Sequence, residues 1–193
     1  KYALENVVKA WQKKVHGTRL EINLDALVHN LNFYKSQLPP KTGVMAMVKA
    51  LGYGSGGEEV ARLLQYHRVD YLAVAYADEG VKLRQEGISL PIMVMNPMPE
   101  AMASLLERNL QPEIYSFRTL DAYLDAITSR KPSAIPPVHL KIDTGMHRLG
   151  FLPEEVPSLI QKLKQHPEIE IETVFSHLAG ADEEQHTDYT LLQ

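Results

Sequence analysis

A chain of 193 residues that is 45% hydrophobic can fill the core of one good-sized domain, and its composition is neither disordered nor fibrous. Its 20 basic and 24 acidic side chains leave a formal charge of −4 without like-charge blocks, so nucleic acid and membrane surfaces are excluded as natural partners and a small molecule is the better expectation. There is no cysteine, hence no disulfide scaffold and no thiolate metal site, and a reducing cytoplasm is permitted; the eight histidines form no HxxxH pair, so no metal is expected, and no apolar run approaches the ~18 residues of a bilayer span.

In chain order, residues 1–17 read as a linker: Leu4, Val7, Val8, Trp11 and Val15 recur at helical spacing and His16-Gly17 ends the helix. Thr18 to Leu24 alternates as a short strand, and Asp25 is placed to cap a helix carrying Leu27, Leu31 and Leu38 and closed by Pro39-Pro40. From Val44 a strand–helix alternation sets in, with strands predicted at 44–48, 71–75, 92–95, 113–115, 138–142 and 171–175. Helices are predicted at 58–67, 77–85, 100–108, 118–129 and 154–165, with a last one starting near Asp182. Such spacing implies a parallel sheet with right-handed crossovers, either doubly wound or a closed eightfold barrel. Chemistry-bearing residues after several different strands favour the barrel, whose working face is built at the strands' C-terminal ends.

Val44 to Val48 is five apolar residues in a row, the pattern of a strand buried on both faces, and Lys49 follows at its C-terminal end. Gly52, Gly54 and Gly56 then let the backbone turn sharply and approach a ligand closely. A lysine after an apolar strand is most often a solvated strand end; delivered into a glycine-lined pocket it is also suited to form a Schiff base with an aldehyde. A second cluster lies in His139-Leu140-Lys141-Ile142-Asp143-Thr144-Gly145-Met146-His147-Arg148-Leu149-Gly150, where Lys141 and Asp143 share a side of their strand and a glycine turn carries Arg148 over its end. By itself this reads as an ion-pair network. Phe175-Ser176-His177-Leu178-Ala179-Gly180-Ala181-Asp182 supplies a histidine after the sixth strand and an aspartate placed to cap the next helix, and Asp78 and Glu79 complete the start of the helix after the second.

These segments resemble the alanine racemases in sequence and in order. Val48-Lys49-Ala50 with Tyr53-Gly54-Ser55-Gly56 is similar to that family's pyridoxal-phosphate lysine segment, although Leu51, Gly52 and Ser55 depart from its usual asparagine, alanine and histidine. The run from Lys141 to Gly150 agrees almost without interruption with the family's lysine–aspartate–threonine–glycine–methionine–arginine signature. The resemblance implies an α/β fold, an incomplete (β/α)8 TIM-type barrel of about six βα units over residues 18–193, cut off before its last strands and a C-terminal β domain. It implies pyridoxal 5'-phosphate as cofactor, held as a Schiff base by Lys49, with Tyr53 on its phosphate, His177 beside its ring, and Arg148 contacting both its phenolic oxygen and the substrate carboxylate. The lysine matching Lys141 is carbamylated in some members, which would make it an anion facing Arg148.

The implied activity is the racemisation of alanine for peptidoglycan synthesis in the cytoplasm, by a homodimer in which a tyrosine from the partner's C-terminal domain is the second base. The 193-residue stretch is then expected to be inactive alone. The leading helix resembles the junction found where a D-alanyl-D-alanine-adding ligase is fused ahead of a racemase. A single-domain pyridoxal-phosphate carrier of the same barrel type and a non-catalytic scaffold are the alternatives. Six strands against eight would leave the first and sixth with unpaired edges, so either an oligomer or rearranged terminal elements are expected to cover them.

Overall fold

The computed structural model describes residue 17 and residues 20–193. The helix expected over Lys1 to Val15 lies outside the described residues. The elements in order are α1 Leu24–Gln37, β1 Met45–Met47, the one-turn α2 Lys49–Tyr53, α3 Gly57–Tyr66, β2 Tyr71–Val74, α4 Ala77–Gln85, β3 Ile92–Val94, α5 Met102–Glu107, β4 Gln111–Ile114, α6 Phe117–Arg130, β5 Val138–Lys141, α7 Val156–Leu163, β6 Ile171–Phe175 and α8 Thr187–Leu192. All six strands pair in parallel, in the order β1-β2-β3-β4-β5-β6. That order decides between the two architectures the alternation allowed. Gly52, Gly54 and Gly57 carry the letters of a dinucleotide-binding G-x-G-x-x-G, yet a sheet whose order never reverses has no topological switch point and curls as part of a barrel. Among the described residues, no helix is long and apolar enough to cross a membrane.

The sheet's two faces divide the residues cleanly. Leu72, Val74, Ile92, Val94, Ile114, Val138 and Leu140 point outward into one apolar core with Val60, Leu83, Met102, Leu105, Leu120 and Tyr123 of the surrounding helices. Most of these are essentially inaccessible to solvent. Each such side chain withdrawn from water contributes about 1.5–3 kcal/mol, which makes this layer the main source of stability.

Several expectations shift in detail. No strand forms over residues 20–23, and Asn23, not Asp25, caps α1: its side chain accepts the Ala26 N–H at 3.0 Å, while Asp25 sits in the first turn, where a carboxylate complements the helix dipole. The fourth strand begins at Gln111 rather than Glu113, because the sheet accommodates Pro112 opposite Val94 despite the ladder donor that proline lacks. Asp182 caps no helix; a 3₁₀ turn at Glu184–His186 precedes α8. The strand expected to be buried on both faces is half open: Val48 is buried, whereas Met45 and Met47 face the concave side, Met45 being 38% exposed. Among the described residues no terminal element is rearranged over the sheet edges. Among the described residues β1 pairs only with β2 and β6 only with β5, and the outer β6 residues Ile171 and Val174 are solvent-exposed.

Candidate active site at the C-terminal mouth of the sheet

Because all the strands run the same way, whatever follows each of them collects at one end. Val48 extends the ladder by one bond, donating to the Ala73 carbonyl at 2.8 Å, and Lys49 stands at the rim. The chain then winds left-handed: φ is 51°, 55°, 63° and 55° at Ala50, Leu51, Gly52 and Tyr53. For the three residues with a Cβ this costs about 1–2 kcal/mol each, so the turn must be held from outside. Within it, Gly52 N–H donates to Val48, Gly54 N–H to Ala50 and Gly56 N–H to Leu51, at 3.0–3.1 Å. From outside, the Glu79 carboxylate accepts the Ala50 N–H at 2.6 Å with one oxygen and those of Ala75 and Tyr76, at 2.8 and 3.2 Å, with the other. One carboxylate thereby ties the ends of β1 and β2 to the start of α4 and orients the backbone beneath Lys49. Tyr53 ends the turn, exposed, with its ring centroid 5.8 Å from Lys49 Nζ.

After β5 the chain makes a closed loop. At its neck Phe151 donates to the Lys141 carbonyl and Asp143 to the Phe151 carbonyl, both at 2.9 Å. Gly150 is required there: its φ is 132°, and a Cβ would fall 2.5 Å from the Asp143 nitrogen. Asp143 turns its carboxylate back into the loop to accept the N–H groups of Gly145 and His147 at 3.0 Å, and those bonds, His147's first, hold its pKa below the usual carboxylate range. The loop is tied to the end of β6 by Thr144 and Ser176 hydroxyls 2.5 Å apart, and to α8 by the Tyr189 hydroxyl donating to Gly145 at 2.7 Å. Arg148 is presented at the tip, exposed. His177, past the end of β6, has its protonation disfavoured by partial desolvation and then by the charges of Arg148 and Lys141.

Lys141 does not pair with Asp143, as the spacing in the sequence invites. It is buried, with Nζ 3.5 Å from Glu113 Oε1 and 4.8 Å from the Phe175 ring centroid. Burial pushes Glu113 up to about 7 against the opposing pull of Lys141 and Arg148. One layer deeper, His139 bridges Thr173 and Gln111 through its two ring nitrogens at 2.7 and 2.8 Å, and burial pushes it down to about 4. Above these groups opens a cavity of about 470 Å³, floored by Met47, Ala73, Met93 and Met95 on one side and by Lys141 and Phe175 on the other, with His177 at its lip.

The five residues marked in the sequence thus all lie toward one end of the sheet, in two groups. Lys49 and Tyr53 stand at the β1 side, and Lys141, Arg148 and His177 at the β5–β6 side. Among the described residues no hydrogen bond or ion pair joins Lys49 to Arg148. Glu79's hold on Ala50 and Glu113's hold on Lys141 are not visible in the sequence, since each joins residues that are 29 and 28 positions apart and only the strand register brings them together.

The family profile described as "Alanine racemase, N-terminal domain" matches residues 22–193. The chain belongs to the alanine racemase family. It is 39% identical over 176 residues to alanine racemase 1 of Oceanobacillus iheyensis, covering 90% of this chain and 46% of that protein. It is likewise 39% identical over 167 residues to alanine racemase of Geobacter sp. strain M21, covering 86% and 44%. The solved alanine racemase of Clostridium difficile 630 in complex with cycloserine superposes with a TM-score of 0.85 at 39% identity, over 93% of this chain and 49% of that one. The chain therefore spans about half the length of the curated alanine racemases it matches. The six parallel strands with their helices correspond to the N-terminal barrel of those enzymes.

Proposed function

We propose that residues 18–193 form the cofactor-bearing barrel portion of a pyridoxal-phosphate-dependent enzyme that interconverts L- and D-alanine for peptidoglycan synthesis, working in the cytoplasm as a homodimer. The observation that carries this reading is that Lys49 and Arg148, just after strands four positions apart in the sheet, both lie at the same C-terminal mouth. The donor set suits the cofactor: an amine at a strand end, an exposed tyrosine, an imidazole and a guanidinium, around a cavity with one apolar flank able to take an aromatic ring.

Pyridoxal phosphate, when bound, supplies an electron-withdrawing ring that makes the α-proton of an attached amino acid acidic. Lys49 would hold the cofactor at its aldehyde carbon, and its amine is the group that would take or return the proton at the α-carbon on its own face. The clamp of Glu79 on Ala50 fixes the backbone from which that amine reaches. Tyr53 would donate to a phosphate oxygen. Arg148, always charged, grips the substrate carboxylate by two parallel bonds and orients the α-carbon. His177, whose protonation is disfavoured by desolvation and by the charges of Arg148 and Lys141, would lie beside the ring. A base on the opposite face of the α-carbon comes, in this reading, from a tyrosine of a further domain on the partner subunit, so the 193-residue stretch alone does not racemise alanine.

The test is Lys49→Ala in the full-length protein. Borohydride reduction of the cofactor-loaded wild type should leave the cofactor fixed on the Lys49 peptide, seen by mass spectrometry, and the variant should lose both that adduct and at least about a thousandfold of the racemisation rate. Retention of adduct and activity by the variant would overturn the assignment.

A further inference from the structure

Glu113 has no part in the roles assigned above, yet it is the most conspicuous charged group in the barrel. It is 1% exposed, and neither carboxylate oxygen has a hydrogen-bond partner among the described residues. Its flanks are unequal. On β3 the register sets Met93 beside Gln111, an apolar edge; on β5 stands Lys141, 3% exposed, with neutral His139 directly opposite Glu113 in register; Arg148 lies on the loop beyond, and Tyr115 just past the end of β4. A buried carboxylate without a counter-charge would be protonated or expelled, and a buried ammonium would shed its proton or swing out to water. Each is here the other's reason for staying.

We propose that Glu113 is a positioning residue of the site: its carboxylate holds the Lys141 ammonium down in the barrel, so that Arg148, rather than Lys141, meets the substrate carboxylate at the mouth. The inference rests on the reading of Arg148 as the carboxylate-binding group. Lys141 lines the same cavity as His177, and a lysine stem is long enough to carry its charge up to that lip when nothing below retains it. Released, it would repel Arg148 and compete with it for the substrate. The pair also bears on the chemical state of Lys141. A carbamate on its nitrogen would set a second anion beside the Glu113 carboxylate in a pocket where burial already opposes the first. Glu113 itself supplies the negative charge, and Lys141 remains an unmodified ammonium.

The experiment uses the full-length, cofactor-loaded protein in four forms: wild type, Glu113→Gln, Glu113→Asp and the double variant Glu113→Gln/Lys141→Met. Glu113→Gln should raise the KM for alanine about tenfold or more with a smaller change in kcat; Glu113→Asp should recover part of the loss, and the double variant most of it, because the released cation is gone. The double variant should also melt at a higher temperature than Glu113→Gln. Independently of turnover, wild-type protein in ¹³C-bicarbonate should show no carbamate resonance. A carbamate on wild-type Lys141, or a Glu113→Gln effect confined to melting temperature with KM unchanged, or a double variant no better than the single, would overturn the proposal. Should Glu113→Gln not fold, Glu113→Asp and the wild-type carbamate measurement decide it. Failure of the racemase reading is seen separately, as absence of cofactor on wild-type Lys49, and leaves the carbamate and melting comparisons in force.

Discussion

The two halves of the concave face are built to opposite rules. On β1 to β3 the cavity wall is Met45, Met47, Ala73, Met93 and Met95, apolar throughout. On β4 to β6 the inward positions include Gln111, Glu113, His139, Lys141 and Thr173, and the first four of these are buried. Polar groups are tolerated in the second half because almost every one has a partner on the neighbouring strand: Gln111 and Thr173 with His139, and Glu113 with Lys141. The first half has no such partners to offer and needs none. Soft, unbranched methionines leave a surface that can adjust to a flat ring, while the polar half holds charge in fixed places. The difference teaches that a site can be divided by strand register, with an apolar wall under the Lys49 rim and a charged wall under the Arg148 rim.

Breaking the division on the apolar side should cost most. Met93→Asp sets a carboxylate at a position 2% exposed in the native chain, whose register neighbour is the uncharged Gln111; about 4 kcal/mol of stability should be lost, read from denaturant unfolding. If the loss is below about 1 kcal/mol, the apolar wall is not a structural requirement. On the charged rim, Arg148→Lys preserves the charge but not the bidentate fork, and steady-state kinetics of the full-length protein should show about a hundredfold fall in kcat/KM with stability unchanged. An unchanged kcat/KM would remove Arg148 from substrate binding.

The smallest effect concerns the pH response of the polar half. His139 is depressed to about 4 from an ordinary 6.5, so it contributes stability that is complete above 6.5 and is lost as pH falls toward 4. Glu113, raised to about 7 from 4.5, has the opposite sign: its contribution is complete below 4.5 and is lost as pH rises through 7. Between these limits the two oppose one another. His139→Gln keeps a hydrogen-bonding side chain toward Gln111 and Thr173, costs about 1 kcal/mol at neutral pH, and should remove the decline in melting temperature between pH 6.5 and 4. An acid limb as steep as the wild type's would place its origin elsewhere.

Much of this was legible in the chain itself. Ala77–Gln85 and Ile171–Phe175 fall where periodicity puts them, because each is bounded by local signals that do not depend on neighbours. The lysine after β1 and the arginine loop after β5 were equally visible, since strand ends and glycine turns are written locally. The cap of α1 was misplaced by two residues because Asn23 and Asp25 are both capable of the bond and only the geometry chooses. Pro112 hid the start of β4, and the openness of β1 could not be read from five apolar letters, because how much of a strand is covered depends on what stands across from it.

What the sequence determined by itself was the alternation of strands and helices, hence the parallel sheet, and which residues would stand at strand ends. Parallel strands put every such residue at one end, so a shared mouth follows from order alone. What only the tertiary structure decided was pairing: that Lys141 turns to Glu113 and not Asp143, that Glu79 reaches back to Ala50, and that His139 is enclosed between Gln111 and Thr173. The physical reason is that a charge or a hydrogen bond acts over a few ångströms while its partner lies about thirty residues away along the chain, and only the register of the sheet converts the second distance into the first.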